Sequence, residues 1–196
     1  MRPLPGAVIH MADPGPSPIG AVGRTSSELA VEVLRKSELW DRAAMSDAVL
    51  VRTAAAAFSA VRPRDDGPCE VTIVLTDDAE QRALNRTWRG KDAPTNVLAF
   101  PASAPMGEPL GEPHSLGDVV LAYETVAQEA HADGIALADH VVHLVVHGVL
   151  HLLGYEHDDA AEAERMETLE RAVLATFGIA DPYADAGAPA LAETPQ

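Results

Sequence analysis

The feature that most limits how this chain can fold is a histidine run, His147-Gly148-Val149-Leu150-His151-Leu152-Leu153-Gly154-Tyr155-Glu156-His157. His147 and His151 are four residues apart, so a helix through them sets both rings on one face, one turn above the other. Gly154 can take the left-handed conformation that closes helices and that other residues resist. A chain turning there carries His157 back toward the first pair. Three imidazoles converging on one point suit a catalytic zinc, with Zn–N near ~2.0–2.1 Å and a fourth position for water. The other reading is three unrelated polar side chains on a buried helix. With 8 histidines and 14 glycines in 196 residues, two more histidines and the glycine at set offsets from a first arise by chance on the order of 10⁻⁴. The expectation is therefore one Zn2+ per chain, held by His147, His151 and His157.

The same spacing matches the His-Glu-x-x-His-x-x-Gly-x-x-His pattern of metzincin proteases in every element but one. Gly148 stands where those enzymes carry their general-base Glu. A glycine can neither take a proton from a metal-bound water nor pass one to a leaving amine. A metallopeptidase remains the rival enzyme reading, favoured by the spacing and opposed by Gly148. Structural zinc sites usually have four protein ligands and favour cysteine, whereas three convergent histidines are evident here.

A chain of 196 residues, 47% of them hydrophobic, is enough for one domain with a sizeable core. The single cysteine, Cys69, excludes an internal disulfide and fits a reducing cytoplasm. The opening Met1-Arg2-Pro3-Leu4-Pro5-Gly6 has no apolar run suited to a signal peptide. No stretch approaches the roughly 20 apolar residues of a membrane span, and the most apolar, Val141 to Leu153, is interrupted by histidines. The expectation is a cytoplasmic protein with no membrane partner. Charge is uneven: residues 1–101 hold 12 basic and 13 acidic side chains, residues 102–196 hold 2 and 17. That acidity opposes nonspecific nucleic-acid binding. Yet Arg82, Arg86, Arg89 and Lys91 fall within ten positions, a strip that either guides a polyanion or is a solvated helix face.

Periodicity and turn residues give a coarse map. Strands are expected at Leu29–Val33, Val71–Leu75, Asn96–Phe100 and Gly117–Ala122. Helices are expected at Ala43–Val61, from the Thr76/Asp77 cap to about Trp88, at Thr125–Ala132, Leu137–Leu153 and Asp159–Phe177. In the last, Met166, Leu169, Val173 and Leu174 form an apolar stripe read as core. The Pro- and Gly-rich stretch Ala102–Ser115 reads as a loop. Strands early and helices late make an α+β domain. The organisation is a flexible extension over 1–26, a folded domain over 27–180 and a disordered acidic tail over 181–196.

A second motif accompanies the histidines: Leu84-Asn85-Arg86-Thr87-Trp88-Arg89-Gly90-Lys91-Asp92-Ala93-Pro94-Thr95-Asn96-Val97-Leu98-Ala99-Phe100-Pro101. With Leu116-Gly117-Asp118-Val119 and the run from His143 to His157, it closely resembles the bacterial YbeY family of endoribonucleases and rRNA maturation factors over roughly residues 28 to 176. The resemblance implies a zincin-like α+β fold: a small, mainly four-stranded sheet packed with about five helices, its metal site at the end of a central helix. It implies a zinc on His147, His151 and His157, and an arginine tied to activity at Arg89. It implies single-strand-specific cleavage of RNA, in maturation of the small-subunit 16S rRNA end and in late ribosome quality control, alongside the ribosome and its assembly factors. Asn96, Ala99 and Glu156 stand where the family commonly has Asp, Ser and Asp.

This chemistry fits the missing base. RNA carries its own nucleophile in the 2′-hydroxyl, so a metal polarising a phosphoryl oxygen can suffice, and water is the other candidate nucleophile. The planar fork of Arg89 can bind two phosphate oxygens at once, or it can sit in a surface salt bridge. His143, one turn before His147, is expected in a supporting or packing role. Asp118 at a strand start could orient a ligand histidine or be an ordinary strand-end carboxylate. Glu156 beside His157 could serve as acid or base or be a solvated turn residue. A non-catalytic alternative is a ribosome-assembly factor whose metal only staples the fold.

Overall fold

β-Branched runs and alanine-rich stretches sort into strands and helices in the computed structural model, which describes residues 21–24, 29–43, 45–61, 68–102 and 114–184. The strands are β1 (Ala21–Arg24), β2 (Leu29–Arg35), β3 (Cys69–Thr76), β4 (Val97–Pro101) and β5 (His114–Ala122). The helices are α1 (Asp47–Val61), α2 (Asp78–Arg89), α3 (Tyr123–Asp133), α4 (Leu137–Leu152) and α5 (Ala160–Thr176), with a 3-10 turn at Glu38–Ala43. One sheet runs in the order β1-β2-β3-β5-β4. β2, β3 and β5 are parallel, and β1 and β4 flank them antiparallel.

The four strands read from the sequence are β2 to β5, and β1 adds a fifth. β1 lies inside the stretch expected to be a flexible extension, and it pairs from Ala21 on Val33 to Arg24 on Ala30. The demand for it comes from the otherwise open edge of β2, whose backbone groups need partners; local Pro and Gly content does not report that. α1 starts four residues later than expected. The preceding 3-10 turn exists because Trp40, fully buried, donates its indole N–H to the Thr76 carbonyl at 2.7 Å. β5 starts at His114 because β3 offers Cys69 as its partner there, which shortens the expected loop; its remainder, 103–113, lies outside the described residues. So do most of the N-terminal extension and positions 185–196 of the tail. Asp181 to Ala184, placed in the tail by the sequence, are folded.

Strand alternation gives the sheet two faces. Val71, Ile73 and Leu75 of β3, Val119 and Leu121 of β5, and Val97 and Ala99 of β4 enter the larger core with α1, α4 and α5. Val74, Val120, Leu98 and Phe100 enter a smaller one, against Leu84 of α2. α4 and α2 therefore lie on opposite faces. α4 is buried continuously from His140 to Leu152, as expected of a helix apolar nearly all round. Among the described residues no single helix is long and apolar enough to cross a membrane.

Candidate metal centre

α4 presents His147 and His151 one turn apart, both nearly inaccessible to solvent. The helix then ends where the sequence places its stop. Gly154 has φ +85°; its N–H donates to the His151 carbonyl at 3.0 Å, and the Tyr155 N–H donates to the Leu150 carbonyl at 3.0 Å. The reversal returns His157 to the helix, its ring centroid 5.2 Å from His151 and 5.8 Å from His147. One ligand atom from each of the three lies within 4.8 Å of the others, the one group of this kind among the described residues.

The nitrogens suit a cation. His147 Nε2 and His151 Nε2 are 3.1 Å apart, close to the ~3.3 Å between two ligands of a tetrahedral zinc with Zn–N of ~2.0–2.1 Å. His147 Nδ1 lies 2.7 Å from Glu170 Oε1. A carboxylate only accepts, so Nδ1 carries the proton and Nε2 keeps its lone pair. His157 Nε2 is buried with no hydrogen-bond partner, an unmet polar atom of the kind a bound ion satisfies. Burial lowers the pKa of His147, and burial with the neighbouring His147 and His157 pushes His151 down to about 3. Both are neutral at pH 7, the ligand form of imidazole. The donor set fits a divalent metal of the zinc class.

Glu170 is the functional residue that sequence reasoning missed. It projects from α5 with no accessible surface. Its Oε1 meets His147, and its Oε2 meets His143 Nε2 at 3.3 Å and accepts from the Tyr183 hydroxyl. Burial alone would raise its pKa; the hydrogen bonds from His143 and His147 outweigh that and hold the carboxyl below its usual range. The available signal was its position, four after Met166 and three before Val173, on a stripe otherwise apolar. His143, one turn before His147, reaches the same carboxylate. A second carboxylate, Glu129 of α3, accepts from Asn96 Nδ2 at 2.9 Å and meets His140 Nε2 at 2.9 Å. Asn96 thus supplies an N–H that an aspartate would lack. Ala99 faces the larger core.

Gly148 has a physical reason. A Cβ there would stand 2.5 Å from Val119 Cγ1, and Val119 is a fully buried, β-branched residue with little room to turn. α4 approaches β5 too closely for a side chain, so the position of the protease base is closed by packing.

Asp118, Glu156 and Arg89 have surroundings of their own. Asp118 alternates with Val119 and so shares the opposite face with Val120. Burial raises its pKa, partly offset by a hydrogen bond from Thr72. Glu170, and not Asp118, meets a histidine of the triad. Glu156 Oε2 lies 3.5 Å from His151 Nδ1 with its side chain partly exposed, so it borders His151. Arg89 ends α2, just before Gly90 turns the chain toward β4. Arg82 forks onto Asp92 at 2.8 and 2.9 Å and Arg86 stands 4.0 Å from it. Arg89 is half-buried, burial lowers its pKa, and it has no carboxylate partner among the described residues.

The Endoribonuclease YbeY family profile matches residues 40–178. Among curated relatives, Endoribonuclease YbeY of Rhodospirillum rubrum is 56% identical over 150 residues, covering 75% of this chain and 74% of that protein. That of Paramagnetospirillum magneticum is 57% identical over 136 residues, covering 68% and 82%. That of Rhodopseudomonas palustris strain CGA009 is 48% identical over 153 residues, covering 78% and 80%.

Proposed function

The chain belongs to the Endoribonuclease YbeY family, a metal-dependent hydrolase acting on RNA in rRNA processing, and from this premise we propose that zinc is its metal and single-stranded small-subunit rRNA its substrate. In this reading the protein acts in the cytoplasm with the ribosome and its assembly factors, maturing the 16S rRNA end. The observation that carries it is the convergence of His147, His151 and His157, one ligand atom of each within 4.8 Å of the others, with no carboxylate base at position 148.

His147, His151 and His157 hold the ion. When bound, zinc supplies Lewis acidity at a phosphoryl oxygen. The chain's own groups do the rest. Glu170 keeps the proton of His147 on Nδ1. Arg89, half-buried and free of a carboxylate among the described residues, is suited to grip a phosphate through two oxygens. RNA brings a hydroxyl nucleophile of its own, so the attacking group need not be a metal-bound water activated from position 148. Nothing in the site favours a peptidase or a purely structural metal.

The test compares substrates. Purified protein should cut unstructured RNA in a metal-dependent way and leave a casein-like chain intact, and His147→Ala should lose the RNA cleavage. Peptide cleavage abolished by His147→Ala, with RNA cleavage unchanged, would overturn the reading.

A further inference from the structure

We infer that Glu170 is a positioning residue for the metal site, clamped by Tyr183, and that this pair fixes which nitrogen His147 offers to the ion. The inference rests on the three-histidine reading above and adds residues from two later parts of the chain to it.

A neutral imidazole can carry its proton on either nitrogen, and only the bare one binds a metal. In water the two forms interconvert, so a ligand histidine without a partner offers the right nitrogen only part of the time. His147 has a partner at 2.7 Å on Nδ1, the Oε1 of Glu170. Glu170 is itself immobilised. Its other oxygen receives the Tyr183 hydroxyl and meets His143 Nε2 at 3.3 Å. Tyr183 is fixed in turn: its ring packs edge-on against His143 at 5.9 Å, and the Arg171 guanidinium lies 5.8 Å above it. A buried carboxylate with this many donors has one rotamer available, and its charge raises the basicity of the ring it holds. The segment just after α5 therefore reaches back through Tyr183 to a carboxylate that touches the metal helix.

Glu170→Gln keeps the shape and removes the charge. It should weaken zinc binding by about 10- to 100-fold, read by competition with a chromogenic chelator. In the zinc-free protein, nitrogen NMR should show His147 as the Nδ1–H form in the parent and as a mixture in the variant. Tyr183→Phe should shift both readouts in the same direction by less. Met166→Ala, on the same buried stripe, should lower the melting temperature and leave zinc affinity within about twofold of the parent. Parent zinc affinity or an unmixed Nδ1–H form in Glu170→Gln overturns the inference, as does a comparable loss in Met166→Ala. Should Glu170→Gln not fold, Tyr183→Phe decides, and parent affinity there overturns it. Failure of the metal reading is distinct: it is seen as a full zinc equivalent retained in His151→Ala.

Discussion

Arg89 and His147 show how differently two polar side chains are prepared. The ring of His147 is set by a single charged contact at 2.7 Å, while Arg89 is set aside, half-buried, beside neighbours that already share Asp92. If Arg89 takes phosphate through two oxygens, Arg89→Lys keeps the charge and loses the fork. It should lose most RNA cleavage, lowering kcat more than it weakens RNA binding, because the interaction is stronger in the transition state. Bound metal and melting temperature should stay at parent values, since the three histidines come from α4 and the reversal after it. Parental cleavage by Arg89→Lys, or loss of its metal, contradicts the assignment. The role of Glu170 was not legible at this scale. A carboxylate on a buried stripe is costly without partners, and its partners His147 and His143 stand 23 and 27 residues earlier.

At the scale of elements, the contact of α4 with β5 decides the chemistry by excluding a side chain. Gly148→Ala places a methyl group 2.5 Å from Val119 Cγ1 and should cost about 1–3 kcal/mol by overpacking. Val119→Ala should give part of that back in the double variant, a coupling measurable by denaturant unfolding. Strict additivity would contradict the packing explanation. Helix boundaries were largely legible because their signals are local: Asp77 caps α2 by accepting from Glu80 N–H at 3.0 Å, and Asp159 caps α5. β1 was not, since its cause lies in the open edge of β2. The convergence of His147, His151 and His157 was legible because Gly154 stands between helix and reversal, so it is encoded within eleven residues.

Across the whole molecule, the buried histidines link the metal site to stability. In the unfolded chain a histidine titrates near ~6.5. In the folded, metal-free protein His151 is held down to about 3 and His147 is also lowered, burial being the main cause. As pH falls, the unfolded chain takes protons first, so stability is whole above ~6.5 and declines toward about 3. Glu170, also lowered, adds to the decline below its ordinary value of about 4.5. Each histidine contributes a slope of about 1.4 kcal/mol per pH unit where only the unfolded form is protonated. Melting temperatures of zinc-free protein should fall from pH 7 to pH 5, and an unchanged value over that range contradicts neutral buried histidines. The sheet and its two faces could be assembled from strand patterns alone. The side of the sheet taken by each helix could not, and so neither could the facing of Asp118 away from α4. The central claim is that His147, His151 and His157 together hold one zinc, and elemental analysis of purified protein tests it most directly. One zinc per chain in the parent and almost none in His151→Ala is the predicted result; a full equivalent retained by folded His151→Ala contradicts it.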